Sequence, residues 1–306
     1  MARTIPESGA ESPRRIRIAV LDTGFDFDCN YVHGLRASER VKKEWCRSWV
    51  GDDVNDDDDE LHGTNCAYLL HKAAPEADIY VGKVFSKNSV KFYEAENIAK
   101  AIRYAADTWD VDIISMSFGL RLPQTQGNRS EDDSMRHDYD KIIDDIKTAI
   151  RDASIKSPRL MFAAASNNGK NDPRAFPARY SPHVFCVHAS DGYGEDGGIN
   201  PKTEGGLNFM TLGMDVELIG KDKFSKGGRV LTKYKRVVRS GTSFATPIAA
   251  GIAATVLDLG ARVRYFDHKM GKKMRRPEEM EKVLRLMSEA KDKFDGRLHY
   301  MAPWRF

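Results

Sequence analysis

An α/β fold, a mostly parallel sheet with helices on both faces, is what this sequence predicts. Short β-branched or wholly apolar runs alternate with segments of helical spacing, and several of those runs end in small-residue turns. Size agrees: 306 residues, 41% of them hydrophobic, can bury one large core of this kind.

Taken in order, Met1–Arg15 is polar, carries two prolines and has no periodicity, so it reads as a flexible lead. Ile16–Leu21 is a β-branched run ending in Asp-Thr-Gly, as expected of a buried parallel strand that presents Asp22 at its carboxyl end. Asp52–Glu60 is nearly all acidic and is expected as an exposed loop. His62–Lys72 reads as a helix and Ala77–Phe85 as a strand. Glu94–Asp107 puts Ile98, Ala101, Ile102 and Ala105 on one helical face. Asp112–Phe118 is then a strand, Tyr139–Ala153 a helix, and Leu160–Ala165 and His183–Ala189 two further strands. Lys221–Arg239, basic and β-prone, reads as a hairpin. Phe244–Gly260 is apolar all round, which suits a helix buried on nearly every side. Pro277–Lys291 is an amphipathic closing helix with Pro277 at its start. Without internal repeats or low-complexity linkers, residues 16–306 read as one domain.

Composition bounds the function. At 30% charged and net charge +3 the chain gives no electrostatic case for nucleic acid. No window holds eighteen uninterrupted apolar residues, which argues against a membrane partner, and the first residues have no apolar signal-peptide core. Cys29, Cys46, Cys66 and Cys186 lack metal-like spacing; reduced thiols in a cytoplasmic setting are the expectation.

Three motifs carry chemistry. Ile-Ala-Val-Leu-Asp-Thr-Gly spans Ile18–Gly24, His-Gly-Thr-Asn-Cys-Ala spans His62–Ala67, and Ser-Gly-Thr-Ser-Phe-Ala-Thr-Pro spans Ser240–Pro247. Ser243 sits where the Ala-rich helix begins, so free backbone N–H groups favour negative charge developing there. A serine hydroxyl needs an adjacent base; His62 is the candidate, with Asp22 to hold its other nitrogen. A fourth element, Ala-Ala-Ala-Ser-Asn-Asn-Gly at Ala163–Gly169, offers Asn167 as an oxyanion donor. Singly, each has an ordinary explanation: Ser243 a helix cap, His62 one of eight histidines, Asp22 a strand-end carboxylate, Asn167-Asn168-Gly169 a turn.

Together, and in the order Asp, His, Ser, these motifs resemble those of the subtilisin-type serine peptidases over roughly Ile16 to Met301. The resemblance implies a three-layer sandwich with a rare left-handed crossover, a catalytic Asp22, His62 and Ser243, and an oxyanion donor at Asn167 rather than Asn168. Ile113–Gly119 is similar to the family strand that pairs with substrate, which makes Ser117, Phe118 and Gly119 substrate-binding. Ser166 stands where the family has glycine and adds a side chain beside the expected S1 pocket. Phe176–Tyr180 and Val184–Asp191 match a further family segment. Family members often carry a signal peptide and a folding pro-segment; with about fifteen residues before the first strand, this domain is expected either to be part of a larger intracellular protein, with possible fused regulatory domains, or to fold unaided.

The function expected is a serine endopeptidase acting on proteins or peptides through an acyl-enzyme, needing no cofactor for the chemistry. A catalytically silent peptide-binding module and a hydrolase of non-peptide esters are the alternatives. The acidic loop is open to three roles: solvated surface, a structural calcium site, or steering of basic substrates. The basic stretches Lys221–Arg236 and His268–Arg276 read as solvated rim, and Cys66 as a small buried packing residue beside His62.

Overall fold

The computed structural model describes residues 14–88, 90–120, 129–169, 172–203, 205–226, 229–262, 271, 273–290 and 298–303. Most of the flexible lead expected at Met1–Arg15, and much of the basic stretch His268–Arg276, lie outside the described residues.

Among the described residues, nine strands form one sheet in the order β10-β11-β7-β6-β5-β4-β1-β3-β2. They are β1 (Arg17–Asp22), β2 (Val41–Ser48), β3 (Asp78–Lys83), β4 (Ile113–Met116), β5 (Leu160–Ala164), β6 (Phe185–Ser190), β7 (Asn208–Leu212), β10 (Ser288–Ala290) and β11 (His299–Met301). Only the β10–β11 pair is antiparallel. A separate hairpin joins β8 (Val216–Lys226) to β9 (Arg229–Arg239).

Strand alternation builds two cores. From β1, Ile18 and Val20 face one layer while Ala19 and Leu21 face the other. The first layer holds α2 (His62–Ala73), α5 (Thr242–Arg262) and α6 (Pro277–Leu286), together with the short α1 (His33–Ala37). The second holds α3 (Glu96–Asp107) and α4 (Arg129–Ile155), whose Ile98, Ile102, Ile146 and Ile150 are fully buried. The three-layer α/β sandwich is therefore the architecture. Among the described residues α5 is also the one helix long and apolar enough to cross a membrane, a property the run-length criterion missed, yet most of it is buried against the sheet and α2. At Gly251 a Cβ would come within 2.5 Å of the Ala73 Cβ, so glycine is what lets α2 and α5 touch.

Several boundaries differ from those expected. Helix α5 begins at Thr242, so Ser243 lies inside its first turn rather than before it. Strand β4 stops at Met116, leaving Ser117 and Phe118 beyond it. The hairpin starts at Val216, five residues before the basic run, because its apolar base (Val216, Leu218, Ile219) is buried. Helix α6 ends at Leu286 and the chain turns into β10. Sequence patterning missed β2, whose lysine-rich stretch suits the sheet edge it occupies, and the short β7, β10 and β11.

Candidate active site

Asp22 ends β1, His62 opens α2 and Ser243 lies in the first turn of α5, so the fold brings all three to the carboxyl edge of the sheet. Open parallel sheets place their ligands at that edge. Asp22 and His62 are both 2% exposed. His62 Nδ1 lies 2.7 Å from Asp22 Oδ1, which also accepts the Thr23 N–H at 2.9 Å. A carboxylate only accepts, so Nδ1 carries the proton and the neutral ring keeps its lone pair on Nε2. Nε2 is buried without a hydrogen-bond partner among the described residues. Burial works against a charged His62, but Asp22 and the adjoining Cys66 together outweigh it and hold the imidazole well above its ordinary 6.5.

No hydrogen bond joins Ser243 to His62 among the described residues; such bonds are often long before substrate binds. Cys66 touches both residues, fully buried, with Sγ 4.0 Å from His62 Nδ1 and 3.7 Å from the Ser243 carbonyl oxygen. Burial pushes its thiol up. Asp22, His62 and Cys66 are also the one group of three His, Cys, Asp or Glu ligand atoms close enough to share an ion among the described residues.

Asn167 is tied to the serine turn. Its Oδ1 accepts the Thr242 N–H at 2.8 Å and the Thr242 hydroxyl at 3.0 Å, which leaves the Nδ2 amide to face the site. A Cβ at Gly241 would lie 3.1 Å from Ser243 Oγ and 3.4 Å from Asn167 Nδ2. Glycine there keeps open the space between hydroxyl and amide. Asn168 instead donates its amide to Asp172 Oδ2 at 2.9 Å, turned to other business.

A cleft of about 510 Å³ opens beside Ser243, lined by Ser117, Gly119, Ala164, Ser166, Ala175 and Thr242 among others, with no charged side chain among the described residues of its wall. Phe118 borders it too, but its ring is buried edge-on against Phe85, which leaves mainly backbone to the cleft. Ser166 has φ +134°, a backbone conformation that favours glycine, and its N–H donates to Thr242 Oγ1 at 3.3 Å. The glycine that the resemblance leads one to expect here would carry no such strain.

The acidic loop departs from the exposed segment expected. Asp56 and Asp58 are only 3% and 4% exposed, whereas Asp57 and Asp59 face solvent. Lysines answer the loop: Lys83 Nζ donates to Asp57 Oδ2 at 2.7 Å, Lys87 pairs with Asp59 at 3.1 Å, and Lys221 donates to the Asp56 carbonyl at 2.8 Å. The Lys83 bond holds the Asp57 carboxyl below its usual range. Neither the inward turn of Asp56 nor the roles of Thr23, Thr64 and Thr242 was visible in the sequence, where they are ordinary polar residues in turns.

Comparison with known proteins agrees with this architecture. The model of the subtilase family, peptidase S8, matches residues 14–285. A subtilisin-like protease het-Q2 of Podospora anserina is 31% identical over 64% of this chain and 48% of its own length. An intracellular serine protease of Paenibacillus polymyxa is 28% identical over 80% of this chain and 68% of its own. The chain thus spans about half the length of the first of these relatives. Among solved structures, the prenylagaramide maturation protease PagA aligns with TM-score 0.62 at 22% identity, over 90% of this chain and 84% of PagA. A lanthipeptide protease aligns with TM-score 0.66 at 17% identity, over 90% of this chain and 80% of its own. With a family match that runs from before β1 to the closing turn of α6 and takes in Asp22, His62 and Ser243, the chain belongs to the subtilase family of serine peptidases.

Proposed function

We propose that this domain is a serine endopeptidase that cleaves peptide bonds through an acyl-enzyme. The observation that carries the reading is the buried 2.7 Å pair of Asp22 and His62 at the same sheet edge as Ser243. In this reading Ser243 Oγ attacks the scissile carbonyl carbon while its proton passes to His62 Nε2. The imidazolium, held by Asp22, then protonates the leaving amine, and water later releases the acyl group by the same route. Asn167 Nδ2 and the Ser243 N–H would donate to the oxyanion. Ser117–Gly119, extending past β4, would pair with the substrate backbone.

A fluorophosphonate probe is expected to label Ser243 in the folded protein. Absence of labelling in protein shown to be folded, or labelling of another residue, would favour the silent peptide-binding module instead.

For the acidic loop we propose a lysine-answered surface with two carboxylates turned inward, in place of a calcium site. A chelator is then expected to leave the melting temperature unchanged. A fall that added calcium reverses would place a bound cation there.

A further inference from the structure

We infer that Asp56 is a positioning residue, a carboxylate link that fastens the Asp22 turn to the start of the His62 helix. It touches neither substrate nor the reacting atoms. The inference rests on the peptidase reading for its kinetic consequence, though not for its geometry.

The geometry is a closed ring of hydrogen bonds. Asp56 Oδ1 accepts the Thr23 hydroxyl at 2.9 Å and the Asp58 N–H at 3.2 Å. Its Oδ2 accepts the Thr64 N–H at 2.8 Å and the Thr64 hydroxyl at 2.7 Å. Thr23 follows Asp22 directly, and Thr64 lies two residues past His62. The threonine hydroxyls are committed on their other side: Thr23 Oγ1 accepts the Gly63 N–H at 2.9 Å and Thr64 Oγ1 accepts the Asp26 N–H at 2.9 Å. With those N–H groups pointing in, both hydroxyl protons point at Asp56, which must accept from four donors. Only an ionised carboxylate does that without loss.

The two turns it joins already touch. A Cβ at Gly63 would come within 2.4 Å of the Gly24 carbonyl oxygen, and one at Gly24 within 2.4 Å of the Val54 carbonyl oxygen. Neither turn can slide past the other while Asp56 holds both. The 2.7 Å contact between Asp22 and His62 is thereby fixed from behind, by a group on a third segment of the chain.

Holding this charge has a cost, which is an argument for a role. Burial pushes the Asp56 carboxyl up to about 6 from its ordinary 3.8, against the lowering effect of Thr64 and Thr23 and with Asp22 adding to the rise. The folded state binds that proton more tightly than the unfolded chain, so this group's contribution to stability falls as pH rises from 3.8 to about 6. The other charged groups nearby are His62, Asp58, Lys221 on the Asp56 carbonyl and Lys83 on the Asn55 carbonyl.

The test compares Asp56→Asn and Thr64→Val with Thr64→Ser, which keeps the hydroxyl, and with Asp59→Asn, an exposed change in the same loop. The first two are expected to lose on the order of 10²-fold in kcat with KM within about threefold, the scale of a misplaced catalytic group. Thr64→Ser and Asp59→Asn should stay within about threefold of the parent on the same scale. The low-field proton resonance of His62 Nδ1–H should move or broaden in Asp56→Asn and Thr64→Val, and stay in place in the other two. If Asp56→Asn does not fold, the Thr64→Val and Thr64→Ser pair carries the comparison. An unchanged resonance and unchanged kcat in Asp56→Asn or Thr64→Val overturns the inference. A parent protein without turnover sinks the peptidase reading alone, because the resonance still reports whether Asp56 positions His62.

Discussion

Replacing Ser243 or His62 by alanine is expected to lower peptide turnover by as much as ~10⁶-fold, the scale found when triad members of a subtilisin are removed. The size follows from acting as a unit: without the base the Ser243 hydroxyl stays protonated, and without the hydroxyl the base has nothing to activate. Each single variant should therefore lose about as much as the double variant, which steady-state kinetics on one peptide substrate can check. Losses that simply multiply would mean that the two residues work independently. The pH profile supplies a second check. Attack needs neutral His62, and Asp22 and Cys66 together hold the imidazole above its ordinary 6.5, so activity should rise with pH through a limb displaced to the alkaline side of that value. The same shift gives stability that is fully present below 6.5 and lost as pH climbs through the raised value. A profile flat across that range would count against His62 as the base.

Asn167→Ala is expected to cut turnover ~10²–10³-fold with little change in KM, a magnitude known from the corresponding donor in subtilisin itself. The bond in question strengthens chiefly as the carbonyl oxygen acquires charge, which is why kcat and not KM should carry the loss. The Asn167 carbonyl is spent on Thr242, 2.8 and 3.0 Å away, so its amide is left for the site. Asn168 spends its amide on Asp172. Asn168→Ala should accordingly cost far less. Equal losses would mean that the loop acts as a whole and that no one amide is the donor.

The parts of this molecule legible in the sequence are those whose physics is local. Buried strands such as Ile18–Leu21 announce themselves through β-branched runs, and α5 through its unbroken apolar surface. The site elements were legible because Asp22, His62, Ser243 and Asn167 each sit in a stretch of small residues that permits close turns. What was not legible depends on distant partners. Asp56 looks like its neighbours Asp57 and Asp59 in the sequence, and only the arrival of Thr23 and Thr64 from two other elements turns it inward. Strand β2 was hidden by its lysines and glutamate, and β11 by having only three residues and a pairing with β7. The strain at Ser166 lies in a backbone angle, which residue identity alone does not reveal without the family's glycine beside it.

The distribution of the site along the chain has a consequence in time. Asp22 and His62 lie on the first strand and the second helix, while Ser243 rides on α5, the element that covers β4, β5, β6 and β7 from below. As the polypeptide emerges during synthesis, the first two groups exist long before the third. Until α5 is made, the apolar undersides of those strands have no lid, and the sheet cannot close its core. Ser243, the proposed nucleophile, therefore arrives with the very helix that completes the fold. On the proposed peptidase reading, an unfinished chain carries the base but no hydroxyl for it to activate. On that reading assembly doubles as an interlock, arming the domain only once it is whole.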